Sequence, residues 1–323
     1  STRTMLRMLL FFGYMALSSL WAPDGADPNK VVELGLVLVA GFSALRLIGL
    51  VEPQRAMELV WRWLLPLLAA FAVLGIAFGG AGGGRLAVLG GGPNVFGRNM
   101  GILCVAAFAM GLRRRNDGLT LGGMVVAGAL VVLSGSRGAL LATAGGMAVV
   151  LYFNTSRIRK VVTVGLVVAV VTIGVLELTD FGAQVLEMFR HRVLQLAVED
   201  RYDSGRTAVY QSAWELGLDA PLFGIGLAGF AVAGNHVYPH NVFLEVFCEG
   251  GLVGVVLLML LLWPPLAAIA RRRSGADPRD HAAFIVALIS AQFSGDLYDT
   301  RTVFVLAIFL VMLTSTSRDR SFC

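Results

Sequence analysis

Long apolar segments recur along the whole chain of 323 residues, and this feature constrains the fold more than any other. Segments of this kind cross the ~30 Å hydrocarbon core of a bilayer as helices, which satisfy their own backbone hydrogen bonds. Hydrophobic residues make up 57% of the sequence and charged residues only 15%, whereas soluble domains carry about 25% charged residues. We therefore predict an all-α, polytopic transmembrane helical bundle and exclude an ordinary soluble fold.

Hydropathy divides residues 1–323 into ten predicted spans, which we expect to form a single membrane-embedded domain. Basic clusters at 113–115, 157–160, 271–273 and 318–320 each follow an even-numbered span. The positive-inside rule therefore places all four clusters in the cytoplasm, and the odd-numbered spans end on the outer side. The predicted spans cover residues of about 5–21, 31–50, 60–78, 96–112, 119–133, 138–153, 161–176, 242–263, 282–294 and 303–316.

The longest segment between predicted spans, residues 177–240, is expected to form a large outer loop with two helices. The first has apolar residues at helical spacing over 186–196, which suits a helix that lies on the membrane surface. The second is predicted to begin near Gly205 and to end at Gly217. The residues Arg206, Tyr210 and Trp214 are four apart and share one face of this helix.

Several arginines lie on the outer side, against the usual charge bias of membrane proteins. Arg137 stands in the turn Ser-Gly-Ser-Arg-Gly at 134–138, where a cation at a helix N-terminus opposes the helix dipole unless an anion is bound. Backbone N–H groups, hydroxyls and a guanidinium suit phosphate oxygens. The alternative is an arginine that reaches lipid headgroups or an outer carboxylate. Arg98 and Arg206 are similar candidates.

His240 lies at the outer mouth of the eighth predicted span, where Asn241 or a neighbouring residue is expected to cap the helix. Glu245 and Glu249 follow on the same face of that helix. These two carboxylates are candidates for ion-coupling groups of a transporter, for an orienter of a histidine, or for partners of an arginine. The sequence leaves these alternatives open.

The outer arginines and His240 together predict a site for a substrate that carries a pyrophosphate. Arginines stabilise charge on a departing phosphate, and a neutral histidine accepts a proton from an attacking hydroxyl. Outer acidic residues show no metal-ligand spacing, and the three cysteines lie far apart in the sequence. We therefore expect no metal, no cofactor and no nucleic-acid partner.

The sequence around His240 resembles a known family. His240-Asn241 is followed, after nine residues, by Gly-Leu-Val-Gly at 251–254, which is similar to the signature of the bacterial O-antigen ligase and polymerase superfamily. Arg137 with Leu141 resembles the arginine-x3-leucine element of the same family. This resemblance extends over residues of about 90–260.

The segment before His240 adds to the resemblance. Arg206, preceded by Ser-Gly and followed by Trp214, resembles the arginine-bearing outer helix of the family, and Pro-Leu-Phe-Gly-Ile-Gly at 221–226 resembles the turn that follows it. Pro93-Asn94 resembles a less specific segment of the family. Family members commonly have about twelve spans, whereas the hydropathy of this chain predicts ten.

The resemblance implies a membrane glycosyltransferase of the GT-C type that acts at the periplasmic face of the bacterial inner membrane. Its donor is a glycan on undecaprenyl pyrophosphate, used without metal or nucleotide sugar, and its acceptor in the ligase branch is the lipid A–core oligosaccharide. We expect inversion at the anomeric carbon. His240 is predicted to be catalytic, and Arg137, Arg206, Arg98 and Asn241 are predicted to bind substrate.

Two other functions remain open at this point. An O-antigen polymerase or related oligosaccharyltransferase uses the same donor, and the motifs do not separate it from a ligase. A flippase or ion-coupled transporter for lipid-linked oligosaccharide is a different class, in which Glu245 and Glu249 lie midway along the transport path.

Overall fold

The computed structural model describes residues 2–80, 85–113, 118–155, 187, 205–234, 236–272 and 276–319. The described residues are mainly helical and contain no strand, which confirms the all-α class. The helices are α1 (Thr2–Leu17), α2 (Asn29–Leu50), α3 (Pro53–Phe78), α4 (Pro93–Arg113), α5 (Gly118–Leu133), α6 (Arg137–Phe153), α7 (Arg206–Asp219), α8 (Gly229–Ala233), α9 (Val242–Ala270), α10 (Pro278–Ser290) and α11 (Arg301–Asp319).

Five helices among the described residues are long and apolar enough to cross a membrane: α1 with the 3-10 turn after it, α2, α3, α4 and α9. Three shorter apolar helices correspond to other predicted spans: α5, α6 and the first fourteen residues of α11. The predicted span 161–176 and the predicted surface helix 186–196 lie outside the described residues, apart from Glu187. The total of ten spans therefore stays a prediction.

Contacts within the chain divide it into two compact units, and the single membrane-embedded domain stays a prediction. The first unit combines Ser1–Arg62 with Ser204–Cys323, and the second contains Trp63–Asp203. In the first unit, α9 packs against α1, α7 and α11, and Phe11, Phe12 and Phe304 join α1 to α11 through ring contacts. In the second unit, α4 packs against α5 and α6.

Helix α9 is interrupted at Gly251, whose φ of 61° and ψ of −163° are not helical. In an unbroken helix the N–H groups of Leu252 and Val253 donate to the carbonyls of Cys248 and Glu249. Here these four groups bond instead to residues 221–226 of the preceding segment. The backbone groups that the break releases are therefore hydrogen-bonded to another part of the chain.

The exchange at the break is reciprocal. Ile225 and Gly226 donate their N–H groups to the oxygens of Cys248 and Glu249 at 2.9 and 3.0 Å. Leu252 and Val253 donate to the oxygens of Pro221 and Leu222 at 2.9 and 3.2 Å. Buried backbone groups are costly without partners, so these four bonds fix the segment 221–226 against α9.

Two glycines make this close approach feasible. A Cβ at Gly251 would lie 2.4 Å from the carbonyl of Leu222, and Gly251 also has a positive φ. A Cβ at Gly224, where φ is 71°, would lie 2.3 Å from the carbonyl carbon of Glu249. Both positions therefore require glycine for space and for backbone conformation.

Candidate functional site

The N-terminal end of α9 is formed by His240 and Asn241. Asn241 is the N-cap, and its Oδ1 accepts the N–H groups of Phe243 and Leu244 at 3.0 and 3.1 Å. The next donors are also used, because Val242 donates to the oxygen of Ala291 and Glu245 donates to the oxygen of Asn241. These N–H groups are therefore already hydrogen-bonded within the protein. An anion at the start of α9 must be bound by side chains.

Arg206 is the first residue of α7, and it follows Gly205, the N-cap, which has a φ of 75°. Its Nη2 donates to the main-chain oxygen of Phe293 at 2.9 Å, and its guanidinium lies 5.9 Å from the centre of the Phe293 ring. One turn further along, the hydroxyl of Tyr210 donates to the main-chain oxygen of Gln292 at 2.8 Å. Two adjacent carbonyls after α10 therefore hold the N-terminal end of α7.

The imidazole of His240 is half-buried and faces other basic groups. The ring of Tyr238 meets it edge-on, with 4.6 Å between the ring centres. Burial lowers the pKa of His240 below its usual value, and the charges of Arg206 and His236 lower the pKa further. His240 is therefore neutral at neutral pH, and it shares one electrostatic environment with Arg206.

His240 also has a left-handed backbone, with a φ of 59°. Such a conformation is uncommon for a residue other than glycine and costs of order 1–3 kcal/mol. Its Nδ1 is buried and has no hydrogen-bond partner within the described part of the chain. The backbone turn at His240 therefore directs this side chain at some cost, which is typical of functional positions.

Glu245 and Glu249 are buried, with 5% and 4% of their surface exposed. Oε1 of Glu245 accepts the N–H of Leu297 at 3.0 Å, and Oε1 of Glu249 accepts the N–H of Phe230 at 3.3 Å. Within the described ranges no arginine pairs with either carboxylate. Both carboxylates therefore bind main-chain groups of neighbouring segments to α9, and none of the ion pairs described for this part of the chain joins either of them to an arginine.

The second unit has its own arginine-bearing turn. Arg137 is the first residue of α6, and the hydroxyl of the N-cap Ser136 accepts the N–H of Ala139 at 3.2 Å. The same hydroxyl donates to Oδ1 of Asn94 on α4 at 2.7 Å. The turn 134–136 is therefore fixed by its own serines and by the start of α4.

Arg98 lies on α4 within the same unit, next to Gly97. A Cβ at Gly97 would lie 2.6 Å from the hydroxyl of Ser134 and 2.7 Å from Cβ of Ala139. The first turns of α4 therefore pack directly against the turn that precedes Arg137.

Residues 122–259 match the sequence profile of the family described as O-antigen ligase. This match supports an assignment of the chain to the O-antigen ligase family. This match confirms the resemblance that the sequence motifs indicate, and no curated protein sequence matches the chain. The matched family implies a membrane-embedded enzyme of lipopolysaccharide biosynthesis with a glycosyltransferase-like activity, and lipid-linked glycan and lipid A–core as partners in general.

The predicted site residues fall into two groups. Arg206, His240 and Asn241 lie together in the first unit, whereas Arg98 and Arg137 lie in the second. All except Arg98 are inside the ligase domain. The side chain of Asn241 caps α9 and also lies within hydrogen-bonding reach of Tyr210. Asn241 therefore helps to hold the site together, and its predicted contact with substrate stays a prediction.

The segment between α10 and α11, residues 291–300, lies outside the ligase match and was not predicted as part of the site. It supplies the main-chain oxygens of Ala291, Gln292 and Phe293 to the outer ends of α9 and α7. Lys30 at the start of α2 forms an ion pair with Asp296 in the same segment. The opposite charges of Asp296 and Lys30 could have indicated this contact from the sequence. The main-chain oxygens have no signature in the sequence.

Proposed function

We propose that the chain is an O-antigen ligase that transfers O-antigen from undecaprenyl pyrophosphate to lipid A–core at the periplasmic face of the inner membrane. The observation that carries the proposal is the shared environment of Arg206 and His240 inside an O-antigen ligase domain. A cation beside a neutral imidazole suits a reaction in which a phosphate departs while a hydroxyl loses its proton.

His240 is the proposed general base. Its lowered pKa keeps the imidazole unprotonated, so that it is able to accept the proton of the acceptor hydroxyl. The hydroxyl oxygen forms a bond to the anomeric carbon of the donor while the bond from that carbon to the phosphate breaks. The electron pair leaves with undecaprenyl pyrophosphate, and a single displacement of this kind inverts the anomeric carbon.

Arg206 is the proposed partner of the departing pyrophosphate. Its bond to Phe293 uses one N–H of Nη2, and a guanidinium carries five N–H donors in a planar fork that matches phosphate oxygens. On the sequence motifs, Arg137 and Arg98 also bind the pyrophosphate. Asn241 and Tyr210 are proposed as positioning residues, because they hold the first turns of α9 and α7.

Reconstitution with defined lipids tests this proposal. The purified chain in proteoliposomes is supplied with the lipid-linked donor and with lipid A–core, and the products are identified by gel and mass spectrometry. Transfer of glycan to lipid A–core is the expected result. A ladder of longer lipid-linked chains without transfer to lipid A–core contradicts the ligase and indicates a polymerase. Movement of the donor across the bilayer without a new glycosidic bond indicates a flippase.

A further inference from the structure

The length of α9 fixes the depth of its break in the membrane. The 19 residues of α9 that follow the break, 252–270, span about 28 Å at 1.5 Å per residue, close to the ~30 Å thickness of the hydrocarbon core. Arg271 and Arg272 follow α9 directly, and arginines are excluded from the hydrocarbon. The inner boundary therefore lies at Ala270 or before it. About 20 residues outward, the outer boundary lies at Gly251 or before it.

The exposure of side chains along α9 agrees with this depth. Over residues 242–251 every side chain is buried or partly covered by protein. From Leu252 onward α9 presents exposed large apolar side chains, as expected for a surface in contact with lipid: Leu252, Val256, Met259, Leu260 and Trp263. Contact with acyl chains therefore begins at the level of Leu252.

The segment before α8 is held at that same level. Leu252 and Val253 donate to the main-chain oxygens of Pro221 and Leu222, so the turn that follows α7 lies beside the outer boundary of the hydrocarbon. In this turn the side chains of Leu222 and Phe223 are each 57% exposed. Leu218, one turn earlier, is 53% exposed. An exposed apolar cluster of this kind marks an interaction surface.

We propose that Leu222 and Phe223 form an insertion tip that enters the outer leaflet and contacts its acyl chains. The occupant is bilayer lipid, because the backbone bonds to α9 place this tip where α9 itself becomes exposed to lipid. Insertion is shallow, since the exposed carboxylates of Glu215 and Asp219 on α7 belong in the headgroup region. Hydropathy alone assigns this segment to an outer aqueous loop.

The insertion tip has a consequence for the site. Helix α7 runs over 14 residues from Arg206 to Asp219, a distance of about 20 Å. Anchoring its far end in the leaflet fixes the height of Arg206 above the hydrocarbon. This inference concerns the position of the chain in the bilayer, so it stands independently of the reaction that the site performs.

Spin labelling measures this depth directly. Single cysteines at Leu222→Cys and Phe223→Cys are labelled in a background in which the three native cysteines are replaced, and the protein is reconstituted in phosphatidylethanolamine–phosphatidylglycerol vesicles. Val256→Cys is the lipid-exposed reference and Gln211→Cys is the aqueous reference. Val237→Cys, at an apolar position that is 72% exposed near His240, separates apolar exposure from depth.

The expected result is a higher collision rate with oxygen than with a water-soluble nickel complex at positions 222, 223 and 256, and the reverse at 211 and 237. Profiles at 222 and 223 that match position 211 would overturn the insertion tip. If either labelled variant is not monodisperse, the same cysteines are probed in cells with a membrane-impermeant maleimide. Slow reaction at 222 and 223 relative to 211 supports insertion, and equal reaction contradicts it.

Discussion

Two arginines, Arg206 and Arg137, occupy the same local position at the start of a helix, but the surrounding contacts differ. Each is the first residue of a helix and follows a glycine or a Gly-Ser pair, and Gly205 and Gly135 both have a positive φ. At Arg137 the neighbouring Ser136 caps the helix and bonds to Asn94. At Arg206 the N-cap is Gly205, which has no side chain of its own to cap the helix, and the guanidinium bonds to the main-chain oxygen of Phe293, which is 87 residues away.

This difference shows that the Arg206 region is assembled from segments that are far apart in the sequence. The turn before Arg137 fixes the backbone at the start of α6. The long-range contacts at Arg206, by contrast, bring α7, the start of α9 and the segment 291–293 together around His240. We therefore expect the Arg206 region to be sensitive to changes in several distant segments, and the Arg137 turn to be sensitive mainly to changes in itself and at the start of α4.

The largest effect is expected when a single methyl group is added at Gly251. This glycine allows the segment 221–226 to pack closely against α9, and the long-range contacts of the Arg206 region depend on that packing. Gly251→Ala places a Cβ 2.4 Å from the carbonyl of Leu222 and forces alanine to a positive φ. We expect most of the folded protein to be lost, as measured by the yield of monodisperse protein in detergent. Gly35→Ala on α2 is the matched control, because its Cβ meets nothing within 4 Å. A normal yield of Gly251→Ala would contradict the requirement for glycine at this close contact between α9 and the segment 221–226.

The two arginines themselves are compared next. We expect Arg206→Ala and Arg137→Ala each to lower the rate of ligation a hundredfold or more, since each removes about 3 kcal/mol of transition-state stabilisation. Arg301→Ala is the control, because Arg301 is an exposed arginine paired with Asp299, and its rate is expected to stay near that of the wild type. Full activity of either variant removes that arginine from the proposed mechanism.

Much of the difference between the two arginine-bearing regions could be predicted from the sequence, for reasons that differ between the regions. Arg137, the capping role of Asn241 and the helix that begins at Arg206 follow from local patterns of serine, glycine and asparagine next to apolar segments. The role of residues 291–293 does not, because they act through main-chain oxygens that every sequence possesses. Gly251 is visible as part of a motif, but its pairing with Gly224 depends on contacts between segments 27 residues apart.

A smaller effect is expected at Tyr210, which distinguishes positioning from substrate binding. Tyr210→Phe keeps the ring and removes the hydroxyl bond to Gln292, which is worth about 1 kcal/mol. We expect an approximately fivefold lower rate of ligation and a thermal midpoint within a few degrees of the wild type. In a double-mutant cycle with Arg206→Ala, the loss should be much smaller than the sum of the single losses. Additive losses would contradict a role that acts through Arg206.

The smallest effect concerns the acidic limb of the pH profile. Because the pKa of His240 is lowered, the neutral base persists below pH ~6.5, and activity falls only as the pH drops through this lowered value. The charge of His236 contributes to the lowering, so His236→Gln should move the acidic limb slightly toward higher pH. The measurement is kcat/KM between pH 5 and 8 in the reconstituted system, and a shift toward lower pH would contradict the assignment.

The central claim is that one imidazole beside Arg206 acts in glycan transfer, and a comparison of two histidines tests it most directly. Ligation rates are measured in proteoliposomes for the wild type, His240→Ala and His236→Ala at equal protein amounts. His236 is exposed and lies in the same segment, so its variant controls for the loss of a nearby histidine. We predict a hundredfold or greater loss for His240→Ala and less than a threefold change for His236→Ala. Equal rates for His240→Ala and the wild type would contradict the account.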